Sequence, residues 1–390
     1  MTPLAEKLAR RIRTDGPITV ADYMAACLGD PEYGYYLHRE PFGRSGDFIT
    51  APEVSQMFGE LIGVWSVLTW DAMGRPSPFV LAELGPGRGS LMADLLRAAR
   101  VRPGFAEAAH VHLVETSDRL RAVQETSLAP LALSNRPQWH AGVDSLPPAP
   151  TIVIANEFFD ALPIRQYVRD GRGWAERMIG IDANMRLIYG LRPLASPPLS
   201  AVGSGPIGFD PLTEAASEPA DDAVAHWTVE VSPAAAPIAD AIARRLVTDG
   251  GAALVIDYGY RGPAVADTLQ AVRRHRYDDP LAAPGEADLT AHVDFTALAE
   301  AATAAGATVR PLVAQGAFLA GLGLANRANR LAAGKDATTQ AKIRAAAEQL
   351  SGAEAMGKLF KVLTFSQPDL ALPLFDGDDS LVWQDSHSDA

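Results

Sequence analysis

The stretch FVLAELGPGRGSLMADLLRAA, residues 79–99, places an apolar run, a glycine-rich turn and a helical pattern in direct succession. The apolar run is interrupted by a single glutamate, which predicts a buried strand. Beyond the turn, leucines recur at helical spacing, which predicts a helix. A buried strand that passes through glycines into a helix is typical of the first unit of a parallel α/β sheet.

The same alternation continues along the chain, so the sequence predicts an α/β fold. Further strands are expected at 111–115, 138–143, 151–155, 252–257, 307–313 and 359–365, with helices at 117–125, 234–248, 294–305 and 338–350. In front of them, Thr50 and Glu53 have the spacing of a capping box, which predicts a helix over 53–72. The sequence predicts five regions. An N-terminal helical region with a Gly-Asp-Phe loop (1–75) precedes the first half of the core (76–163), and inserted antiparallel hairpins and a loop follow (164–227). The second half of the core (228–366) contains a long polar loop at 258–293, and an acidic tail ends the sequence (367–390).

Composition narrows the possible functions. The 390 residues include 34 Lys and Arg against 47 Asp and Glu, a net charge of −13, which disfavours a broad nucleic-acid-binding surface and favours a cationic ligand or partner. Cys27 is the single cysteine, so no intrachain disulfide or cysteine zinc cluster can form, and we expect no metal site. No uncharged apolar run approaches the length of a membrane span.

The glycine turn after the first strand is the best candidate for a ligand-binding site. Gly85, Gly87 and Gly89 let the backbone approach a ligand closely, and the helix that follows offers free N–H groups. The third glycine comes one position earlier than in the dinucleotide pattern G-x-G-x-x-G. Glu83 would repel a pyrophosphate but would suit an amino group or a sulfonium. The turn therefore favours S-adenosylmethionine over a nicotinamide cofactor; an oxidoreductase and a turn without a ligand are the alternatives.

Three further acidic residues are candidate cofactor ligands. Glu115 ends the second strand, where α/β nucleotide sites place a carboxylate against ribose hydroxyls. Asp144 follows the third strand and could contact the adenine edge, although an ordinary turn is an equal alternative. Asp47 lies in the Gly-Asp-Phe loop, which could close over a cofactor or could serve as a plain capping turn.

Polar residues group at the end of the fourth strand, where ligands bind in such sheets. Asn156, Glu157 and Asp160 are the candidate catalytic residues. If residues 157–160 form a helical turn, the two carboxylates share one face and can hold a cation between them. The alternative is a cluster that caps a helix.

Other ionisable residues are weaker candidates. His275 or His292 could be a second-choice base, but a structural role is the preferred interpretation of each. Asp257 ends another strand and could line a pocket for the acceptor. The sequence lacks a G-x-S-x-G elbow, a P-loop and an H-E-x-x-H motif, which disfavours hydrolase, NTPase and zincin functions.

Taken together, the motifs resemble the MidA family of class I methyltransferases. The resemblance extends from about residue 17 to 365, which is nearly the whole chain. The segments that carry it occur in the same order as in the family, and they are GDFITAPEVSQMFGELIGVW (46–65), ELGPGRGSLMADLLR (83–97), VHLVETSDRLRAVQ (111–124), IANEFFDALPIRQY (154–167), VIDYGY (255–260), DTLQAVRRHRYDDPL (267–281), ADLTAHVDF (287–295) and MGKLFKVL (356–363). The sequence departs from the family pattern at Thr116-Ser117-Asp118, where relatives often carry Ser-Pro.

The resemblance implies a Rossmann-like, seven-stranded, mostly parallel sheet and S-adenosylmethionine as the methyl donor. It further implies symmetric dimethylation of an arginine in a subunit of NADH:ubiquinone oxidoreductase (respiratory complex I) in support of assembly. In that family the glycine turn holds the methionine end of the donor, the residue matching Glu115 holds the ribose, and the segment matching 156–160 lies beside the methyl group. The resemblance implies cytoplasm for a bacterial member and the mitochondrial matrix for a eukaryotic one. An assembly chaperone with a vestigial donor pocket and a small-molecule methyltransferase are the alternatives.

Overall fold

The computed structural model describes residues 1–38, 50–170, 173–196, 227–262, 267–273 and 276–375. Asp47 and His275, which the sequence analysis named as candidates, lie outside the described residues. The helices are α1 (Pro3–Asp15), α2 (Val20–Gly29), α3 (Tyr35–His38), α4 (Ala51–Val54), α5 (Gln56–Ala72), α6 (Ser90–Ala99), α7 (Phe105–Ala108), α8 (Asp118–Leu128), α9 (Ala235–Asp249), α10 (Phe295–Ala304), α11 (Gln315–Gly321), α12 (Leu324–Ala332), α13 (Ala337–Ser351) and α14 (Met356–Leu359).

The strands are mostly short, and the longest of them are buried. They are β1 (Ile18–Thr19), β2 (Phe79–Leu84), β3 (Ala109–Val114), β4 (Gln138–His140), β5 (Thr151–Asn156), β6 (Arg165–Asp170), β7 (Gly173–Ile181), β8 (Leu187–Pro193), β9 (Trp227–Val231), β10 (Gly251–Tyr260), β11 (Gln270–Arg273), β12 (Arg276–Asp278), β13 (Asp288–Thr290), β14 (Val293–Asp294), β15 (Thr308–Val309), β16 (Val313–Ala314) and β17 (Phe360–Ser366).

The main sheet confirms the predicted class I arrangement. Within the described residues its order is β15-β17-β10-β5-β2-β3-β4, and the short strands β14 and β16 pair with β10 and β17. The five strands from β10 to β4 are parallel, whereas β17 runs antiparallel to both of its neighbours. Every residue of β2 and β5 is buried, because helices cover both faces of the sheet. The chain order reverses between β2 and β5, and ligands bind at the carboxyl ends of strands at such a reversal.

Two smaller sheets lie next to the carboxyl ends of the main sheet's strands. The inserted hairpins β6–β8 pair with β9, and β1 from the N-terminal region pairs with β7. Strands β11, β12 and β13 form a third sheet. The prediction of a long polar loop at 258–293 is therefore wrong over part of its length. Strands of three or four residues with mixed polarity are too short to show a period in sequence.

Three local predictions are corrected. Thr50 precedes the short helix α4 but makes no capping hydrogen bond, and α5 begins at Gln56, capped by the Ser55 hydroxyl. The Glu53 carboxylate accepts a hydrogen bond from the Ser90 hydroxyl at 2.8 Å instead. The strand expected at 307–313 is divided into β15 and β16, and helices α11 and α12 were not predicted. None of the helices in the described ranges is long and apolar enough to cross a bilayer.

Candidate cofactor and acceptor site

A cavity of about 710 Å³ opens where β2, β3 and β5 end. Its wall combines the glycine turn, the start of α8, the segment after β4, the segment after β5, and residues of α2 and α3. The predicted site residues that line it are Glu83, Gly85, Gly87, Glu115, Asp144, Asn156 and Glu157. Gly89 and Asp160 lie outside the lining.

The glycine turn requires backbone angles that side chains disfavour. Gly85 and Gly87 have φ angles of 61° and 51°, in the left-handed region. A Cβ atom on Gly85 would lie 3.0 Å from the Phe158 ring, so backbone forms the cavity wall at this point. Gly89 has a φ of 80° and is the N-cap of α6. Its role in this structure is to turn the chain into the helix.

Glu83 presents a carboxylate that has no counter-charge among the described residues. The residue is 3% exposed, and its Oε2 atom is buried without a hydrogen-bond partner. Burial raises the pKa of this carboxyl group to about 8, against the opposing effect of the Met92 amide. A carboxyl group with one unpartnered oxygen beside a glycine turn fits a cationic ligand, because the cation favours the ionised form and the glycine backbone allows its close approach. S-adenosylmethionine carries an ammonium and a sulfonium group and fits this wall, whereas a pyrophosphate would be repelled.

Glu115 is held in place by its own loop and by α8. Its Oε1 atom accepts the Ser117 amide proton at 2.8 Å, and its Oε2 atom accepts from Gln124 Nε2 at 3.2 Å. The same Gln124 nitrogen donates to the Gly87 carbonyl at 2.8 Å, and the Gln124 carbonyl oxygen accepts from Trp139 Nε1 at 2.8 Å. One buried side chain thus ties the acid expected at the ribose to the turn expected at the methionine end of the donor.

Sequence reasoning missed Gln124, although a signal was present. Leu120, Gln124 and Leu128 follow one another at intervals of four and form the buried face of α8. A glutamine on an otherwise apolar helix face has to find hydrogen-bond partners, because an unpaired buried amide is costly. Asp144 lies in the 3₁₀ turn Val143–Ser145, which follows β4, and it lines the cavity.

Glu157, the first residue after β5, has a strained backbone conformation. Its φ is 49°, which is uncommon for a residue other than glycine and is often found at functional sites. The Oε1 atom accepts hydrogen bonds from the Ala51 amide and from Asn156 Nδ2, both at 3.0 Å. Glu157 Oε2 and Asn156 Oδ1 are buried without partners in the described structure. Burial, with a smaller effect from the charge of Asp160, raises the pKa of Glu157 to about 8.

The predicted helical turn joining Glu157 and Asp160 is wrong, because β5 is followed by an irregular turn. Asp160 is 5% exposed and lies behind the cavity wall, where burial raises its pKa to about 6. The buried Asp257 carboxylate accepts the amide protons of Phe159 and Asp160 at 3.0 and 3.2 Å. Asp257 therefore anchors the backbone of the turn that carries Glu157. The expectation that it lines the acceptor pocket is wrong, because it lies outside the cavity lining.

His292 faces away from the donor cavity. It lines a separate cavity of about 110 Å³ beside Phe159, and its ring packs edge-on against Tyr258 with centroids 5.4 Å apart. Burial lowers its pKa, which favours the neutral imidazole. Asp294 caps α10 by accepting the Thr296 and Ala297 amide protons. The structural interpretation of His292 therefore fits the observed contacts, and Asp294 has a capping role.

Known proteins resemble this chain over most of its length. Residues 61–313 match a family model described as "Putative S-adenosyl-L-methionine-dependent methyltransferase". The chain is 38% identical to the mitochondrial protein arginine methyltransferase NDUFAF7 of Mus musculus, over 83% of this chain and 75% of that protein. The Danio rerio protein of the same name is 36% identical over 92% and 85%. A Burkholderia thailandensis protein, crystallised with S-adenosyl-homocysteine, is 31% identical, with a TM-score of 0.77 and coverage of 93% and 92%.

Proposed function

Because this chain belongs to the MidA-like family of S-adenosylmethionine-dependent methyltransferases, we propose that it methylates an arginine side chain of a protein, namely a subunit of respiratory complex I. The named relatives are protein arginine methyltransferases, and the family resemblance supports complex I as the target. Symmetric dimethylation in support of assembly belongs to the same proposal. So does the compartment, which is the mitochondrial matrix for a eukaryotic source and the cytoplasm for a bacterial one.

One observation in particular supports an arginine acceptor. Glu157 Oε2 and Asn156 Oδ1 are adjacent buried acceptors on the cavity wall, without protein partners in the described ranges. A guanidinium group has five N–H donors and no acceptor, and its positive charge persists because its pKa is about 12.5–13.8. A cation with several donors satisfies both orphaned atoms and the buried carboxylate charge together.

The residues present can support transfer chemistry on such an acceptor. Bound S-adenosylmethionine supplies an electrophilic methyl group. Asn156 Oδ1 would accept a hydrogen bond from one guanidinium N–H. This contact would orient the reacting nitrogen towards the methyl group before the reaction. Glu157 would bind the guanidinium as a carboxylate and accept the proton released from that nitrogen.

The test is methylation by the purified enzyme of complex I from cells that lack its activity. The wild-type protein, with isotopically labelled donor, should place label on arginine in one complex I subunit, identified by mass spectrometry. Glu157→Gln should reduce the rate by about 100-fold or more, since general base catalysis typically contributes 10²–10⁴-fold. Glu107→Gln, at an exposed carboxylate on α7, is the matched control and should methylate at the wild-type rate.

Other outcomes would redirect the proposal. Label found only in molecules of low mass would favour a small-molecule methyltransferase. Donor binding without any transfer, together with rescue of complex I assembly by Glu157→Gln, would favour a chaperone with a vestigial donor pocket. Label on lysine instead of arginine would contradict the guanidinium assignment.

A further inference from the structure

Two segments of the donor-cavity wall meet at His140, the last residue of β4. Glu115, which follows β3 and is the acid expected at the ribose, donates its backbone N–H to the His140 carbonyl oxygen at 2.9 Å. Residues 141–144 follow His140 directly, and all four of them line the cavity, as Glu115 does. His140 itself lies outside the cavity lining. It is therefore in contact with both segments without being exposed to a ligand.

The His140 ring joins the interior of the main sheet to the turn that follows β4. Its Nε2 atom lies 2.8 Å from Nδ1 of His112, a residue of β3 that is 1% exposed. Its Nδ1 atom lies 3.1 Å from the Ser145 hydroxyl oxygen. That hydroxyl donates in turn to the Gly142 carbonyl oxygen at 2.8 Å, across the 3₁₀ turn. A continuous chain of hydrogen bonds thus runs from a buried strand to the cavity wall.

The donors and acceptors in this chain can be assigned from its outer end. A carbonyl oxygen can only accept, so the single hydroxyl proton of Ser145 is directed to Gly142. The Ser145 oxygen must then accept from His140 Nδ1–H, which leaves His140 Nε2 to accept from His112 Nδ1–H. Both rings therefore carry their proton on Nδ1. A second proton on His140 would place two N–H groups against each other and break the chain.

The surroundings of the two rings favour these neutral forms. Burial lowers the pKa of His112 to about 4. It also lowers the pKa of His140, against the opposing effect of a backbone hydrogen bond from the turn after β4. The other charged or titratable groups that act on the rings are His110 of β3, Arg121 of α8 and Arg245 of α9, and each lowers the pKa of one or both rings. The chain is therefore intact at neutral pH.

We infer that the chain His112–His140–Ser145 positions the nucleoside end of the donor cavity and thereby sets the affinity for the adenosine part of S-adenosylmethionine. His140 holds Glu115 through its carbonyl oxygen and holds the turn that carries Asp144 through its ring. Two acidic residues that follow different strands are thus ordered before the ligand binds, which reduces the cost of binding. The three residues of the chain lie outside the cavity lining, so each of them is a positioning residue.

The experiment measures the binding of two ligands by calorimetry. S-adenosylhomocysteine and 5′-methylthioadenosine share the adenosine part and the sulfur, and they differ in the amino-acid part. Ser145→Ala removes the linking oxygen at an exposed position, and Ser145→Thr keeps a hydroxyl group. His112→Leu removes the inner donor, and His112→Asn keeps an N–H group near the position of Nδ1. The control is Ser134→Ala, at an exposed serine before β4 that lies outside the cavity lining.

Ser145→Ala and His112→Leu should each weaken the binding of both ligands by the same factor of about 3 to 10, the range for one lost hydrogen bond. Ser145→Thr, His112→Asn and the control should bind both ligands within about twofold of wild type. NMR of the ring nitrogens in the ligand-free wild type at neutral pH should show His112 and His140 uncharged, with the proton on Nδ1. Thermal unfolding midpoints, measured for every variant, separate a local effect from a loss of folded protein.

Three results would overturn the inference. They are wild-type affinity of Ser145→Ala for both ligands, a loss confined to S-adenosylhomocysteine, and a proton on Nε2 of His140. If His112→Leu does not fold, the exposed Ser145 variants and the NMR spectrum of the wild type still decide the matter. None of these measurements involves an acceptor, so their outcome is separate from that of the proposed function, which depends on the residue that is methylated.

Discussion

Replacing Glu83 by glutamine should stabilise the ligand-free protein at neutral pH while weakening donor binding. The carboxyl group is 3% exposed, and burial raises its pKa from 4.5 to about 8. Between these two values the unfolded chain carries the ionised form and the folded chain the protonated form. The folded state therefore binds more protons in this range, and stability falls as the pH rises from 4.5 towards 8.

The size of the effect follows from the width of that range. Each pH unit in which the two states differ by one proton is worth about 1.4 kcal/mol. From pH 4.5 to pH 7.5 the Glu83 carboxyl group should therefore reduce the free energy of unfolding by about 4 kcal/mol. Glu83→Gln keeps the shape of the protonated side chain and does not titrate. It should lack this loss, and its advantage over wild type should shrink to below about 1 kcal/mol at pH 5.

The assay is urea-induced unfolding of both proteins without ligand at pH 5 and at pH 7.5. Glu107→Gln removes an exposed carboxylate and controls for net charge. The difference in pH dependence between wild type and Glu83→Gln is the diagnostic quantity, because a fixed cost of burying the new amide cancels from it. Equal pH dependences of the three proteins would refute the reasoning.

Donor binding should move in the opposite direction. A cationic ligand beside Glu83 favours the ionised carboxylate, so binding at pH 7.5 should release up to one proton from the wild type and less from Glu83→Gln. Calorimetry in buffers of different ionisation enthalpy measures that release. Affinity should fall about 10- to 100-fold in the variant, the range expected for the loss of a hydrogen bond to a charged group. Unchanged affinity and equal proton release would show that Glu83 does not contact the ligand.

Two further substitutions test the glycine turn after β2 and the turn after β5. Gly85→Ala should cost about 1–2 kcal/mol of stability from its left-handed φ and should push the new Cβ towards Phe158, so that calorimetry shows weaker donor binding; wild-type affinity would contradict the close approach of this backbone. Asp257→Asn should loosen the amide contacts to Phe159 and Asp160, and steady-state kinetics should show a lower kcat with donor affinity retained; a loss confined to donor affinity would contradict its anchoring role.

The sequence was sufficient for the parts of the fold that depend on local patterns. The strand, turn and helix of residues 79–99 are predictable because burial, glycine freedom and helical spacing act within about 20 residues. The mostly parallel arrangement of the main strands followed from the same alternation together with the family resemblance. Strands of two or three residues, such as β1 and β13, were not predictable, because their pairing depends on partners elsewhere in the chain.

The site was predictable residue by residue but not as a set of contacts. Glu83, Glu115 and Glu157 could be located because each follows or ends a strand at the ligand-binding edge. Asp160 was misplaced because a spacing of three was interpreted as a helical turn, whereas the left-handed backbone at Glu157 breaks that period. Tyr36 of α3, which lines the cavity, was missed because its hydroxyl group donates to Asp288, which is 252 positions away, and only tertiary packing brings the two together.

Glu83 and Glu157, whose pKa values are near 8, are unfavourable for the stability of the empty site and become favourable when a cationic ligand binds. Glu83 lies beside the glycine turn and Glu157 at the end of β5, and each has one buried oxygen without a partner among the described residues. In a ligand-free protein both positions would be more stable with an uncharged side chain of the same size. Their common property is that each can gain a cationic partner, Glu83 from the methyl donor and Glu157 from the proposed acceptor. The lower stability of the empty site is therefore the counterpart of its affinity for cations, because each of the two carboxyl groups gains a partner when a cation binds beside it.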